Sequence, residues 1–282
     1  MTDVKPARLS LWRAIALVLA FLALSFVFAS VGAGLLEFIF GSQASDPEDV
    51  PFQWVALAAV AAATYAMLRL EKLPWSAVGL DLAAASPRLL MRGTVIGAVT
   101  IGATSLILVG IQQLRIVATP DGSWWGLAAR SAAVLLPAAF FEELVIRGYV
   151  FAVLRRAAGW KLALIATSVV FGLLHAWNPG ADAESILAVV VAGFFLGAIF
   201  LATKSLYAAG AAHFAWNWMM AGALHTPVSG LPLATPDYKT VDAGPDWLTG
   251  GVWGPEGGFG AVAAMFIVLF FLYGRHLRRM EF

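Results

Sequence analysis

The chain of 282 residues has no cysteine and few charged side chains. The absence of cysteine excludes a thiol nucleophile, a disulfide framework and a cysteine-ligated metal site. Charged residues make up 12% of the chain and hydrophobic residues 61%, whereas a soluble domain carries about 25% charged residues. Because so much apolar surface cannot be hidden from water, the composition predicts an integral membrane protein in contact with a lipid bilayer. No long polar stretch separates the apolar runs, so we expect residues 1–282 to form a single transmembrane domain.

Apolar segments of roughly the length of a membrane-spanning helix recur along the whole chain. They lie near residues 13–38, 52–70, 90–113, 125–154, 161–177, 185–202, 205–224 and 259–274. Outer-membrane barrels show alternating rather than continuous apolar runs, so we predict an all-α polytopic membrane protein with about eight transmembrane helices. Basic residues concentrate at one end of these segments, and the positive-inside rule then puts the N- and C-termini in the cytoplasm. The compact chain, without sorting signals, favours the bacterial cytoplasmic (inner) membrane.

A few polar side chains interrupt the apolar runs at a common depth. Glu142 and Glu143 lie within FFEELVIRG, and His175, His213 and Asn217 lie in other segments. Counted from the basic residues at the inner ends of their segments, Glu142, His175 and Asn217 all lie about 20 Å from the inner boundary. His213 lies one turn nearer, at roughly 13 Å. Two carboxylates at this depth cost several kcal/mol on insertion scales, so we expect them to serve a function.

Residue spacing indicates which of these side chains share a helix face. Glu143 and Arg147 are four residues apart with the acid first, the favourable order for an ion pair within a helix. Glu142 points about 100° away around the helix and is free to face another segment. His213 and Asn217 are also four residues apart and project from one face.

This combination of side chains suggests hydrolysis of a peptide bond. A carboxylate near a histidine can activate water as a general base, and imidazole and amide N–H groups can stabilise an oxyanion. Alternatively, Glu142, His175 and His213 can bind a divalent metal such as zinc and leave room for water. The HExxH and GxSxG strings are absent, and every aspartate falls in a loop or near the end of a segment, which argues against an aspartyl site.

Three motifs resemble those of the CAAX-protease and bacteriocin-processing (CPBP) family of membrane proteases, which includes the type II CAAX prenyl endopeptidases. EELVIR matches the EExxxR motif, FGLLH the FxxxH motif and HFAWN the HxxxN motif. The resemblance covers a core of about residues 75–225. It implies an eight-helix intramembrane endopeptidase whose site opens to the cytoplasmic side.

The same resemblance implies roles for the residues of the motifs. Glu142 and His175 are the water-activating pair, and His213 and Asn217 are the oxyanion stabilisers. Family members are commonly labelled metalloproteases, and a metal-free glutamate mechanism has also been proposed; the residues here permit both. The expected partner is a membrane-associated or C-terminal peptide or protein substrate, without nucleic acid. Glu143 and Arg147 are expected to support the site.

Two other classes of function stay open. Intramembrane glutamate and histidine also mark proton relays in transporters, although this sequence has no internal repeat and no paired broken helices. The other alternative is a non-catalytic membrane scaffold or immunity protein.

Several of these residues can also have purely structural roles. His213 and Asn217 can serve as hydrogen-bonding partners between helices, and the glycines of the sixth and seventh segments, such as Gly193, Gly197 and Gly210, are expected to be packing notches. We expect residues 225–258, rich in Gly, Pro and Asp, to form an outer loop. His225 and His276, at segment ends, are expected to be solvated.

Overall fold

The computed structural model describes residues 8–41, 49–119, 124–231 and 238–275, and most of them are helical. The α-helices are α1 (Leu11–Phe40), α2 (Val50–Glu71), α3 (Pro87–Gly110), α4 (Trp124–Glu143), α5 (Val150–Leu174), α6 (Ala183–Thr203), α7 (Leu206–Trp218), α8 (Asp246–Thr249) and α9 (Phe259–Arg275). Two π-helical segments, Leu144–Tyr149 and Met219–Leu224, continue α4 and α7.

Five helical runs in the described residues are long and apolar enough to cross a membrane. They are Leu11–Phe40, Val50–Glu71, Pro87–Gly110, Trp124–Leu174 and Ala183–Thr203, with Phe259–Leu272 as a shorter apolar helix. The run Trp124–Leu174 has 51 residues and is broken at Gly159, where φ is 84° and ψ is 164°. The predicted fourth and fifth segments lie on the two sides of this break. The count of eight spans and the cytoplasmic location of the termini stay predictions.

A small sheet corrects the all-α prediction. Strand β1 (Leu114–Ala118) follows α3 and pairs antiparallel with β2 (Tyr238–Asp242). The register joins Leu114 to Asp242 and Ala118 to Tyr238. These strands come from two connecting segments that follow α3 and α7, so the pairing depends on how those two helices pack together. The region predicted as a plain outer loop is therefore ordered by backbone hydrogen bonds to a distant segment.

Helices α3 and α7 approach each other unusually closely along a stripe of small residues. A Cβ atom built on Gly93 would lie 2.0 Å from the carbonyl oxygen of Ala208, and one on Gly97 would lie 2.0 Å from that of Ala212. Small residues permit such close approach of helices in membranes. Since Ala212 directly precedes His213, the glycines of α3 determine where that histidine lies.

Glycines of α6 and α7 fit against side chains and backbone of neighbouring helices, as predicted. A Cβ atom on Gly193 would lie 2.8 Å from the Cα of Ser168, and one on Gly197 would lie 2.3 Å from a Leu164 methyl group. On Gly210 it would lie 2.8 Å from the ring of Phe140. These contacts hold α6 against α5 and α7 against α4. Helices α4 and α7 carry predicted site residues, and His175 directly follows α5.

Candidate active site

The two glutamates end α4, immediately before the π-helical segment Leu144–Tyr149. Glu143 is completely buried, whereas the side chain of Glu142 is 33% exposed. The π-helical segment contains Gly148, whose φ of −78° and ψ of −115° are not helical. Single-turn π segments often occur at functional sites because they change the direction of the side chains that follow. Here the segment carries Arg147.

Arg147 is buried and held by three groups. Its Nη1 donates to Glu143 Oε1 at 2.8 Å, and its Nη2 donates to the carbonyl of Gly193 at 3.0 Å. The guanidinium carbon lies 4.3 Å from the centre of the Phe171 ring. The predicted ion pair between Glu143 and Arg147 is therefore confirmed, and Arg147 also links α5 and α6 to the glutamates.

Glu143 has a second partner that the sequence analysis missed. Its Oε1 lies 3.1 Å from Nδ1 of His213 on α7. A carboxylate accepts hydrogen bonds, so His213 donates from Nδ1 and its ring orientation is determined by Glu143. No pattern within one segment indicates this contact, because it joins residues 70 positions apart on different helices.

His175 is oriented by the backbone of its own helix. It lies directly after the last residue of α5, and its Nδ1 is 2.8 Å from the carbonyl oxygen of Phe171. A carbonyl only accepts, so Nδ1 carries the proton and Nε2 of the neutral ring is an acceptor. The side chain is 13% exposed. Phe171 and His175, four residues apart, lie on one helix face, with 4.9 Å between their ring centres.

Glu142 lies between the two imidazoles. Its Oε2 is 3.9 Å from Nε2 of His175 and 4.0 Å from Nε2 of His213. This oxygen is buried and makes no hydrogen bond with any described residue. The separations are too long for direct hydrogen bonds, and a water molecule bridges groups at such distances. The structure thus brings Glu142, His175 and His213 together around one point.

A cavity of about 30 Å³ adjoins His175, His213 and Asn217, room for about two water molecules. Its remaining lining comprises Phe171, Val189, Ala192, Phe195, Leu196, Trp216, Ser229 and Glu256. Asn217 shares the lining with His213, as their spacing predicts, and its amide makes no hydrogen bond within the described residues. The amide is therefore available to a ligand.

Glu256 is a buried carboxylate of this cavity that the sequence analysis placed in an outer loop. Its Oε2 accepts a hydrogen bond from Trp216 Nε1 at 2.8 Å. Its Oε1 accepts from the backbone N–H of Ser229 at 2.6 Å and from the Ser229 hydroxyl at 2.8 Å. The segment after α7 thus folds back onto the site, which the Gly- and Pro-rich composition did not indicate.

The expectation for His225 was wrong. Its side chain is buried, and its ring meets that of Tyr238 edge-on with 4.4 Å between the ring centres. Strand β2 brings Tyr238 over the end of the second π segment, and this long-range contact removes His225 from water. His276 lies outside the described residues.

Glu142, His175 and His213 are the predicted ligands of a zinc ion. No group of three or more histidine, aspartate or glutamate side chains in the described ranges forms a set that could hold a metal ion. Two ligands of a tetrahedral zinc ion lie about 3.3 Å apart, whereas Glu142 Oε2 lies 3.9 and 4.0 Å from the two imidazoles. These side chains would have to move slightly closer together to share a zinc ion, and zinc binding stays a prediction.

A larger groove of about 870 Å³ lies between α2, residues 74–83, α4 and α7. Its lining is mainly apolar and includes Phe140 and Leu206. Phe140 packs on Gly210, which lies three residues before His213. Leu206 lies two helical turns, about 10 Å, before His213 on α7. The groove and the glutamate–histidine cluster therefore share two helices.

Residues 124–219 match a family model described as Rce1-like, type II CAAX prenyl endopeptidase Rce1-like. The matched segment begins with α4, ends just after α7 and contains all three motifs. The match confirms the family resemblance inferred from those motifs. No curated protein and no solved structure matches the chain. Together with the apolar helical runs, the match indicates an integral membrane protein with a segment typical of a peptidase family.

Proposed function

We propose that this chain with an Rce1-like segment is an intramembrane endopeptidase, which cleaves a membrane-associated or C-terminal peptide substrate. The observation that carries the proposal is the position of Glu142 Oε2 between the Nε2 atoms of His175 and His213. A buried carboxylate oxygen without a hydrogen bond, facing two imidazoles, is suited to bind and activate water.

In the proposed reaction, a water molecule binds between Glu142 and His175 Nε2. Glu142 takes a proton from the water as the oxygen attacks the carbonyl carbon of the scissile bond. A new C–O bond forms, and the carbonyl π electrons move to the oxygen, which becomes an oxyanion. The protonated Glu142 then gives its proton to the amide nitrogen while the oxyanion re-forms the C=O bond and the C–N bond breaks. The products are a carboxylic acid and an amine.

His213 and Asn217 are proposed to stabilise the oxyanion. Because Nδ1 of His213 donates to Glu143, its Nε2 carries a proton only in the imidazolium form. Glu143 and Glu142 lie on two sides of this ring, so both carboxylates are placed to pair with it in that form. The Asn217 amide supplies the second donor. Loss of one such donor costs about 100-fold or more in kcat.

The groove between α2 and α7 is proposed to receive the apolar part of the substrate. Its largely apolar lining suits hydrophobic side chains or a lipid chain attached to the peptide. The matched family model carries the description type II CAAX prenyl endopeptidase, so prenylated and unprenylated peptides of one sequence form the first substrate pair. Faster cleavage of the prenylated peptide would show that the protein recognises the lipid chain, as expected if the groove binds it.

Glu142→Gln tests the proposal because it keeps the side-chain shape and removes the general base. We expect membranes carrying this variant to lose cleavage by about 100-fold or more, measured by mass spectrometry of the products. Glu184→Gln, an exposed residue of α6, is the matched control and should cleave like the original protein. Equal cleavage by both variants would refute the catalytic role of Glu142. Proton flux into liposomes without peptide cleavage would instead support the relay alternative.

The zinc alternative has a separate test. Zinc would be held by Glu142, His175 and His213 and would supply a Lewis acid and a more acidic water. Metal analysis of the purified protein, with Glu142→Gln beside it, distinguishes the two mechanisms. If the original protein contains one zinc ion per chain and the variant contains none, the zinc mechanism is supported and the metal-free mechanism is refuted.

A further inference from the structure

Glu256 is a buried carboxylate without a cationic partner among the residues that the structure describes. It is buried, and it forms no ion pair with any residue in the described ranges. Its three hydrogen bonds come from neutral donors on two segments, Trp216 and Ser229. A buried charge is costly to retain when nothing neutralises it, so its position suggests a function. It also lies outside the segment that matches the family, residues 124–219.

The hydrogen bond to Trp216 reaches the residues that are proposed to stabilise the oxyanion. Trp216 directly precedes Asn217 and lies three residues after His213, on the last turns of α7. Its buried indole also packs against Phe195 of α6, with 5.7 Å between the ring centres. Glu256 therefore determines where the indole lies, and the indole limits the rotation of the end of α7.

The hydrogen bonds to Ser229 fasten the segment after α7 over the cavity. Both donors of Ser229 reach Glu256, and the Ser229 carbonyl accepts a hydrogen bond from Asn178 Nδ2 at 2.9 Å. The backbone N–H of Gly230 donates to the carbonyl of Trp253 at 3.0 Å. Ser229 and Glu256 both line the cavity beside His175 and His213, so this latched segment is one of its walls.

We propose that Glu256 is a positioning residue of the site, which orients the end of α7 through Trp216 and closes the cavity by holding Ser229. Its role in catalysis rests on the proposed function, whereas its role as a latch does not. Both roles follow from one carboxylate whose two oxygens accept hydrogen bonds from different segments.

Glu256→Gln tests the orienting role. Glutamine keeps the length but has one acceptor oxygen, so an N–H group of Trp216 or Ser229 then faces its NH₂ group. We expect kcat to fall about tenfold with KM within about twofold, because misplaced donors act on the transition state. The matched control, Glu184→Gln, should change neither constant. A variant with unchanged kcat beside an inactive Glu142→Gln would overturn the inference and leave the proposed function intact.

Trp216→Phe distinguishes orientation from a general loss of structure. Phenylalanine keeps an aromatic ring but lacks the N–H donor, so Glu256 can no longer act through it. The loss caused by Glu256→Gln should therefore be much smaller in the Trp216→Phe background than in the original protein. Equal fold-losses in both backgrounds would refute the orienting role.

The latch has a readout that needs no activity, because the chain has no cysteine of its own. Val189→Cys places one thiol in the buried wall of the cavity, which Ser229 and Glu256 also line. We expect a water-soluble maleimide to label it slowly, and at least about tenfold faster when Glu256→Gln or Ser229→Ala is added. Glu184→Gln should leave the labelling rate unchanged. Equal rates in all four proteins would refute the latch, even if no peptide is cleaved.

Discussion

Glu143 holds two partners with a single oxygen. Its Oε1 contacts Arg147 Nη1 at 2.8 Å and His213 Nδ1 at 3.1 Å, while Oε2 has no hydrogen bond within the described residues. Glu142, the preceding residue, makes no hydrogen bond with any described residue, and its side chain is one-third exposed. The adjacent glutamates thus differ in their surroundings: Glu143 pairs with Arg147 and His213, whereas Glu142 lies between the imidazoles of His175 and His213.

This difference predicts that the same substitution lowers stability at Glu143 but lowers activity at Glu142. Glu143→Gln leaves the buried Arg147 without its carboxylate and should destabilise the protein by about 3–5 kcal/mol. Glu142→Gln removes no hydrogen bond and should leave thermal stability nearly unchanged while abolishing cleavage. Thermal unfolding in detergent measures the first effect and peptide cleavage the second. Similar unfolding temperatures for both variants would contradict the structural role of Glu143.

Helix α7 owes its position to the stripe of small residues on α3. Gly93 and Gly97 meet the carbonyl oxygens of Ala208 and Ala212, and His213 follows immediately. Ser205 begins α7 by accepting a hydrogen bond from the N–H of Ala208 at 3.0 Å and by donating to the carbonyl of Ala84 at 2.6 Å. One end of α7 is therefore fixed by its cap and α3, and the other by Trp216.

Gly97→Ala should move α7 and the histidine it carries. The added methyl group would lie 2.0 Å from the Ala212 oxygen, so the helices must separate. Such overpacking costs about 1–3 kcal/mol, and we expect cleavage to fall further than stability alone explains. Gly110→Ala on the same helix has no atom within 4 Å of the new methyl group and is the matched control. Full activity of the Gly97 variant would show that α7 can shift without harm.

Helix α6 begins with a capping box whose stabilising effect depends on pH. The backbone N–H of Ser185 donates to Asp182 Oδ1 at 2.8 Å, and the Asp182 N–H donates to the Ser185 hydroxyl at 2.9 Å. Hydrogen bonds from the backbone and hydroxyl of Ser185 hold the pKa of Asp182 below its usual value. A lowered pKa stabilises the fold above the pKa of the unfolded aspartate, about 3.9, and the stabilisation is lost at lower pH.

Asp182→Ala should destabilise the protein by about 1 kcal/mol at pH 7, because the cap is removed. As the pH falls through the lowered pKa of Asp182, the original protein loses the charge-dependent part of this advantage, and the difference in unfolding temperature should shrink. Paired unfolding curves from neutral to acidic pH measure the trend. A difference that stays constant or grows on acidification would contradict it.

The whole chain combines apolar helices with a folded segment after α7. The described residues include five runs able to span a membrane. Helix α7 alone has 13 residues, and the π segment Met219–Leu224 extends it by six residues. The sheet of β1 and β2, and the bonds of Glu256, join the segment after α7 to the rest. The cavity is therefore closed by residues from a region that composition alone assigns to a loop.

The predicted topology can be tested with single cysteines, because the chain has none. Ser10 and Ala243 are both exposed in the structure, and positive-inside reasoning puts them on opposite sides of the membrane. We expect an impermeant maleimide to label Ala243→Cys in intact cells and Ser10→Cys only after lysis. Labelling of both in intact cells would contradict the cytoplasmic N-terminus.

Relations within one helix were predictable from the residue order. The Glu143–Arg147 pair, the shared face of His213 and Asn217 and the break between the fourth and fifth segments all follow from regular helical spacing or from local composition. The three motifs likewise identify a family, because their spacing is a property of the chain. Helical geometry repeats every 3.6 residues, so such relations need no knowledge of neighbouring helices.

Relations between helices depend on packing, which residue order does not specify. The contact of Glu143 with His213, the burial of His225 and the position of Glu256 join segments that lie far apart in the chain. Each depends on how closely helices approach, which the glycines of α3 and α6 permit, and on the sheet of β1 and β2. The residue order therefore supplies the candidate groups, and the packing of separate helices places Glu142 Oε2 3.9 and 4.0 Å from the imidazoles of His175 and His213.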